Sequence, residues 1–203
     1  HGAYTLYTTM AGFIMALVIG VVFAIGIVYS RFLENTLFSM LVALNSIPKV
    51  ALAPLFVIWL GTEMAPKIAI SVTIAIFAIV VDTVLGLRSV DPEALNLARA
   101  ARATEWQILR KIRFPNALPS LFAGMKVAIS FALVGALVGE FVAGSRGLGH
   151  AILLAQGSFD TPRVFASIFI LGLMGTFLFF IVDLVERWML PWHASQRNVK
   201  PAI

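Results

Sequence analysis

The chain has 203 residues, of which 60% are hydrophobic and only 12% charged, and its mean hydropathy is +0.96. That leaves too little polar surface to coat a soluble globule, so the composition is that of an integral membrane protein. A net charge of +5 does not point to nucleic acid, because the cations gather in loops beside apolar runs, where they orient a membrane chain. The absence of cysteine excludes disulfides, thiolate metal sites and cysteine catalysis.

In chain order, the opening HGAYTLYTTM has no initiator methionine and no basic stretch, and so does not begin a signal peptide. Residues 10–29 form a charge-free run ended by Arg31, long enough to span a bilayer. The run from 37 to 61 is also long enough, but Pro48, Lys49 and Pro54 predict a bent or interrupted helix. Residues 67–87 and 117–143 give two more spans, carrying Asp82 and Lys126 within them, and residues 164–182 give the fifth. Residues 147–159 are apolar but short, which predicts a re-entrant or interfacial helix. Gly135 and Gly139, four apart, suit close helix packing, and GSRGLG at 144–149 reads as a turn entering a short helix.

Between the third and fourth spans lies EALNLARAARATEWQILRKIRFPNALP, residues 93–119. Leu97, Ala98, Ala101, Ile108, Leu109 and Ile112 recur near helical spacing, while Arg99, Arg102, Arg110, Lys111 and Arg113 supply a polar exterior. Asp91 is placed to cap the helix, Pro92 suits its first turn, and Glu93 complements its dipole. Phe114-Pro115 predicts its stop. An ordered amphipathic helix outside the membrane implies a partner.

Alternate loops carry ten cations on one side and three on the other. The positive-inside rule puts loop 88–116 and the C-terminus in the cytoplasm and residues 144–163 outside. His1 then starts outside, and a further span before it is expected. No repeat or linker divides residues 1–203, which read as a single transmembrane domain. Three charged residues invite functional readings. Lys49, beside the helix-breaking Pro48, is a candidate for a wet path. Lys126 is expected to snorkel or to pair with Asp82. Glu140 is a candidate gate or loop brace, paired with Arg146. Isolated histidines and dispersed carboxylates supply no catalytic constellation.

The loop resembles the conserved segment of permease subunits of binding-protein-dependent ABC importers: Glu-Ala-Ala, three residues, Gly, nine residues, Ile, one residue, Leu-Pro. Ala98, Ile112 and Pro115 match, Phe114 stands for leucine, and Asn96, Leu97 and Arg102 depart from the pattern, Arg102 replacing the glycine. IPKVALAPLFVIWLG (47–61), GLRSVDPE (86–93), WQILRKIRFPNALPSLFAGMKVAIS (106–130), GEFVAGSRGLG (139–149) and LPWH (190–193) resemble the nitrate, sulfonate and taurine branch.

The resemblance implies an all-α, type I importer permease bundle in the bacterial inner membrane. It also implies a second, identical permease chain, two ATPase subunits that bind ATP and magnesium, and an extracytoplasmic binding protein. No cofactor or metal is expected in the chain itself. Leu97, Ala98, Arg99, Ala101, Arg102, Ile112 and Pro115 are the implied ATPase-coupling residues. Pro48, Lys49 and Glu140 are candidates for the path or gate. A small oxyanion such as nitrate, a sulfonate or a carboxylate is the implied cargo, with a pyrimidine or other small nutrient as the alternative. A self-sufficient channel or secondary transporter would not need the amphipathic loop helix, and a membrane enzyme would need clustered His, Asp or Glu in its spans.

Overall fold

The computed structural model describes residues 1–191, and every regular element in them is helical. Four helices are long and apolar enough to cross a bilayer: α1 (Gly2–Tyr29), α5 (Ala65–Arg88), α8 (Phe114–Ala143) and α10 (Thr161–Met189). The run between α1 and α5 is broken into α2 (Arg31–Leu33), a π-helical stretch (Glu34–Phe38), α3 (Ser39–Ser46), a 3-10 turn (Lys49–Leu52) and α4 (Ala53–Leu60). The expected second span, residues 37–61, is therefore an interrupted helix. Pro48 has an extended backbone (ψ 98°) and splits it, as the sequence predicts.

The broken run nevertheless travels the length of the bundle. It starts beside the end of α5, where Glu34 pairs with Arg88 at 2.9 Å. It finishes where Thr62 and Glu63 carbonyls accept from Lys67 at 2.9 and 2.7 Å, at the start of α5. The end carrying Tyr29, Arg88 and the start of α8 is called the proximal end below, and the other the distal end.

Helices α1, α5 and α8 form the centre, and small residues decide how closely they approach. A Cβ on Gly135 would lie 2.6 Å from Ser71 Cα, and one on Gly139 would lie 2.8 Å from Lys67 Cα, so α8 touches the α5 backbone at both glycines. Without a hydrophobic drive between helices in lipid, this close van der Waals contact and interhelical hydrogen bonding hold the pair. Ser71 adds one such bond, donating to the Ala132 carbonyl at 2.5 Å. Gly12, Ala16, Gly20 and Ala24 put a buried small-residue stripe on α1 at a four-residue interval. Phe13, Ile79, Phe122, Ile129 and Leu178 fill the core between α1, α5, α8 and α10. Large apolar side chains such as Phe165, Phe169, Phe177 and Leu184 face outward, while Thr5, Thr8, Ser71, Thr83 and Glu140 are buried. This arrangement reverses that of a soluble protein and suits a hydrocarbon solvent.

Helix α10 is fastened to α8 by charge. Lys126 pairs with Asp183 at 2.5 Å and Glu186 at 2.6 Å, and Arg187 holds the other Asp183 oxygen at 2.8 Å. The expected Lys126–Asp82 pairing is thus corrected. Asp82 packs against Gly124, and Lys126, two residues on, points about 200° around the helix from it.

Candidate functional site

The polar loop folds as two helices, α6 (Pro92–Ala100) and α7 (Glu105–Ile108), rather than one. Asp91 caps α6, its Oδ1 accepting from the Glu93 amide at 2.8 Å, and Pro92 occupies the first turn. The break follows from Arg102, which takes a left-handed backbone (φ 57°). Ala103 N–H donates to the Ala98 carbonyl at 3.0 Å and Arg102 N–H to the Arg99 carbonyl at 2.9 Å. These two bonds make a Schellman ending, whose left-handed position is usually glycine. Arg102 therefore adopts the conformation for which glycine is suited in the family pattern.

Thr104 opens α7 with a capping box: its hydroxyl accepts from the Gln107 amide, and Gln107 Oε1 accepts from the Thr104 amide at 2.8 Å. The expected stop at Phe114-Pro115 is overturned, since helix continues through a π-helical stretch (Leu109–Arg113) into α8. Phe114 N–H donates to the Leu109 carbonyl, five residues back. This wider turn accommodates the proline ring, which in a regular α-helix would clash with the carbonyl four residues earlier.

No side chain of α6 is buried: Leu97 is 73% exposed, Arg99, Ala101 and Arg102 are exposed, and Ala98 is half-buried. Ile112 is half-buried and Pro115 exposed. The segment after α6 is tied down instead. Arg99 reaches Glu105 at 3.5 Å, Tyr29 Oη donates to the Glu105 carbonyl at 3.3 Å, and Arg113 lies over the Tyr29 ring. Asn116 Nδ2 donates to Ser89 Oγ at 2.8 Å, and Ile108 and Leu109 are buried. A projecting helix is thus braced against the ends of α1, α5 and α8.

At the distal end, Glu140 is completely buried. Its Oε1 accepts from Thr5 Oγ1 and its Oε2 from the Gly149 amide, both at 2.8 Å, while Thr5 Oγ1 accepts from the Leu148 amide at 2.9 Å. The carboxylate sews α8 to α1 and to the start of α9 (Leu148–Gly157), as a loop brace. Arg146, its expected partner, is exposed and makes no hydrogen bond or ion pair with Glu140 among the described residues. Gly147 has φ 112° and comes so close that an added Cβ would fall on the Glu140 carboxylate. Lys67, which the loop pattern suggests is an outer-surface cation, is fully buried and donates to Tyr4 Oη at 3.2 Å as well as to the two carbonyls above. Thr5 and Lys67 were not legible as site residues, although the threonines of TLYTTM inside an apolar run signal a polar inner face.

At the break, Pro48 is exposed and Lys49 half-buried, with Lys49 Nζ donating to Asn45 Oδ1. His193, Arg197 and Lys200 lie outside the described residues.

Four helices long and apolar enough to cross a bilayer, a broken run along the bundle and a capped helix projecting from one end define the class, a multi-pass membrane protein. The chain belongs to the family of binding-protein-dependent transport system inner membrane components, whose model matches residues 16–191. It is 40% identical to the riboflavin transport system permease protein RibX of Chloroflexus aurantiacus over 81% of this chain and 62% of that protein. It is 34% identical to the formylaminopyrimidine transport permease protein ThiX of Halalkalibacterium halodurans over 97% of this chain and 78% of the relative. A putative aliphatic sulfonates transport permease, SsuC of Bacillus subtilis, is 30% identical over 96% of this chain and 71% of its own length. The chain therefore spans about three fifths to four fifths of these relatives. In fold it matches a chain solved in inward-facing conformations of the MetNI methionine ABC transporter, with a TM-score of 0.80 and 21% identity over 91% of this chain and 92% of that one. The fold is that of type I ABC importer permeases.

Proposed function

We propose that two copies of this chain form the translocation path of an ABC importer. Two ATPase subunits dock from the cytoplasm, binding the ATP and magnesium, and an extracytoplasmic protein delivers cargo at the distal end. The observation that carries the reading is α6, a helix sealed at both ends by its own caps with no buried side chain. Leu97, Ala98 and Ala101 offer an apolar ridge for a cleft of the ATPase, with Arg99 and Arg102 beside it to meet acidic groups. Ile112 and Pro115 act in the segment that carries the movement into α8.

Closure of the ATPase pair on ATP displaces α6, and the braces at Glu105, Tyr29, Arg113 and Asn116 pass that displacement to α1, α5 and α8. Loop 88–116 then lies in the cytoplasm and residues 144–163 outside, in keeping with the ten-to-three distribution of cations. The chain itself performs no catalysis in this scheme.

For cargo, the relatives named for riboflavin and formylaminopyrimidine, at 40% and 34% identity, support a small nitrogen-heterocyclic nutrient over an oxyanion. The oxyanion reading draws on the resemblance to the sulfonate branch, with SsuC at 30% identity, and on Lys49, whose ammonium already has a partner in Asn45.

The test is co-purification and ATP turnover of the permease with its ATPase. Ala98→Asp sets a carboxylate into the docking ridge, where an unpaired charge is costly to bury. The expected result is on the order of a tenfold loss of ATPase association with normal membrane insertion. Wild-type association and coupled transport in this variant would remove α6 from the role.

A further inference from the structure

Three charged side chains lie more than one turn inside the long helices: Asp82, Lys126 and Asp183. Lys126 and Asp183 neutralise each other at 2.5 Å. Asp82 has no hydrogen-bond or ion-pair partner among the described residues. It sits six residues before the end of α5, roughly 9 Å from Arg88 at the helical rise. A carboxylate facing lipid costs on the order of 3 kcal/mol at the bilayer centre and less toward the interface, and aspartate, unlike lysine, has no long stem with which to reach that interface. A face of α5 that meets water or polar groups removes this cost.

The surroundings of Asp82 are small. Gly124 of α8 lies flush against it, so that a Cβ there would stand 2.9 Å from Asp82 Cβ and 3.0 Å from Oδ2, and the Ala78 carbonyl is one turn away. Ala123, beside Gly124, is exposed, and both Asp82 and Ala78 are half-buried. The neighbours packed on the carboxylate, Gly124 and the Ala78 carbonyl, thus offer it no side-chain donor, and the half-buried side chain keeps part of its surface uncovered by this chain.

We propose that Asp82 lines the translocation path and is a specificity-determining acceptor for cargo carrying amino or other N–H donors, the niche of Ala78 and Gly124 leaving its oxygens free for them. The assignment rests on the reading that this chain lines such a path. An ionised carboxylate accepts hydrogen bonds and donates none, so it favours an amino or ammonium group and opposes the passage of a free anion. It also gives the nitrogen-rich cargo a physical basis in this chain's own residues.

The native chain has no cysteine, so Ala78→Cys, one turn from Asp82, supplies a single reporter. In the permease–ATPase complex in membrane vesicles, labelling rates are compared for cationic and anionic methanethiosulfonates of similar size. A carboxylate facing the same water favours the cationic reagent by on the order of tenfold. Adding Asp82→Asn should bring the ratio to about one. Ala123→Cys repeats the measurement from α8 should Ala78→Cys fail to fold.

No labelling by either reagent at both positions means that lipid, or a cation of a second copy, covers the face, and overturns the proposal. A charge preference that survives Asp82→Asn overturns it as well. ATP turnover and ATPase co-purification in the same vesicles report on the importer reading separately, because labelling depends on the cavity and not on bound ATPase.

Discussion

At the distal end, the carboxylate of Glu140 spends both oxygens inside the chain, on Thr5 and Gly149, and is fully buried. At the proximal end, α6 keeps no side chain buried and satisfies its termini with a cap at Asp91 and a Schellman turn at Arg102. The first region is complete within one chain, whereas the second is ordered yet leaves a ridge open. A helix of nine residues is marginal in water without tertiary packing, so its caps and the bracing of the adjoining segment hold its shape until a partner covers it. Substitutions at the distal end should therefore act on stability, and those at the proximal end on association.

The largest expected effect is at Gly147. Alanine there must take φ 112°, a glycine-only conformation, and must place its Cβ where the Glu140 carboxylate stands. Gly147→Ala should cost about 3 kcal/mol or more, seen as a fall in the thermal midpoint of the detergent-purified protein. Glu140→Gln retains the volume but turns one acceptor into a donor facing Thr5 or Gly149, so a smaller loss of about 1–3 kcal/mol is expected. Wild-type midpoints in both variants would erase the distinction between the two ends.

Next in size is the ion cluster between α8 and α10. Its three carboxylate and ammonium side chains are largely buried, at 22%, 16% and 9% exposure for Lys126, Asp183 and Glu186. Lys126→Met leaves Glu186 without its cation and Asp183 with Arg187 alone, and should cost about 2–4 kcal/mol. Combining it with Asp183→Asn and Glu186→Gln should recover much of that loss, because the uncompensated charges go with it. A triple variant clearly less stable than the native chain would show that the cluster contributes net attraction rather than merely mutual neutralisation.

Much of this architecture is legible because long apolar runs with at most two charges can be little else than spans. The runs at 10–29, 67–87, 117–143 and 164–182 each fall inside one long helix, and Pro48 breaks the run at 37–61. What sequence could not reveal is which polar groups meet. Lys67 follows a loop and precedes an apolar run, as any interfacial lysine does, yet it is buried because Tyr4, distant in the sequence, meets it together with the carbonyls of the preceding loop. Arg146 is nearer in sequence to Glu140 than Thr5 is, but the turn at Gly147 brings amides to the carboxylate and leaves the guanidinium outside. Phe114-Pro115 misleads for a local reason: a five-residue hydrogen-bond step lets a helix pass through a proline that pattern reasoning reads as its end.

The smallest effect sharpens the comparison most, because it separates the shape of α6 from its contacts. Arg102 holds φ 57° without the freedom of glycine, which costs about 1 kcal/mol, while its side chain is exposed and pairs with nothing among the described residues. Arg102→Gly relieves the backbone but also frees the unfolded chain, so the net gain in stability should be at most about 1 kcal/mol, a rise of a few degrees in the thermal midpoint. Arg102→Ala keeps a Cβ in the left-handed position and should give no such rise. ATPase association then divides the roles: if both variants bind as the native chain does, the turn alone matters. If both lose affinity while the glycine variant is the more stable, the guanidinium meets an acidic group on the ATPase, and this chain has exchanged a relaxed turn for a contact of its own.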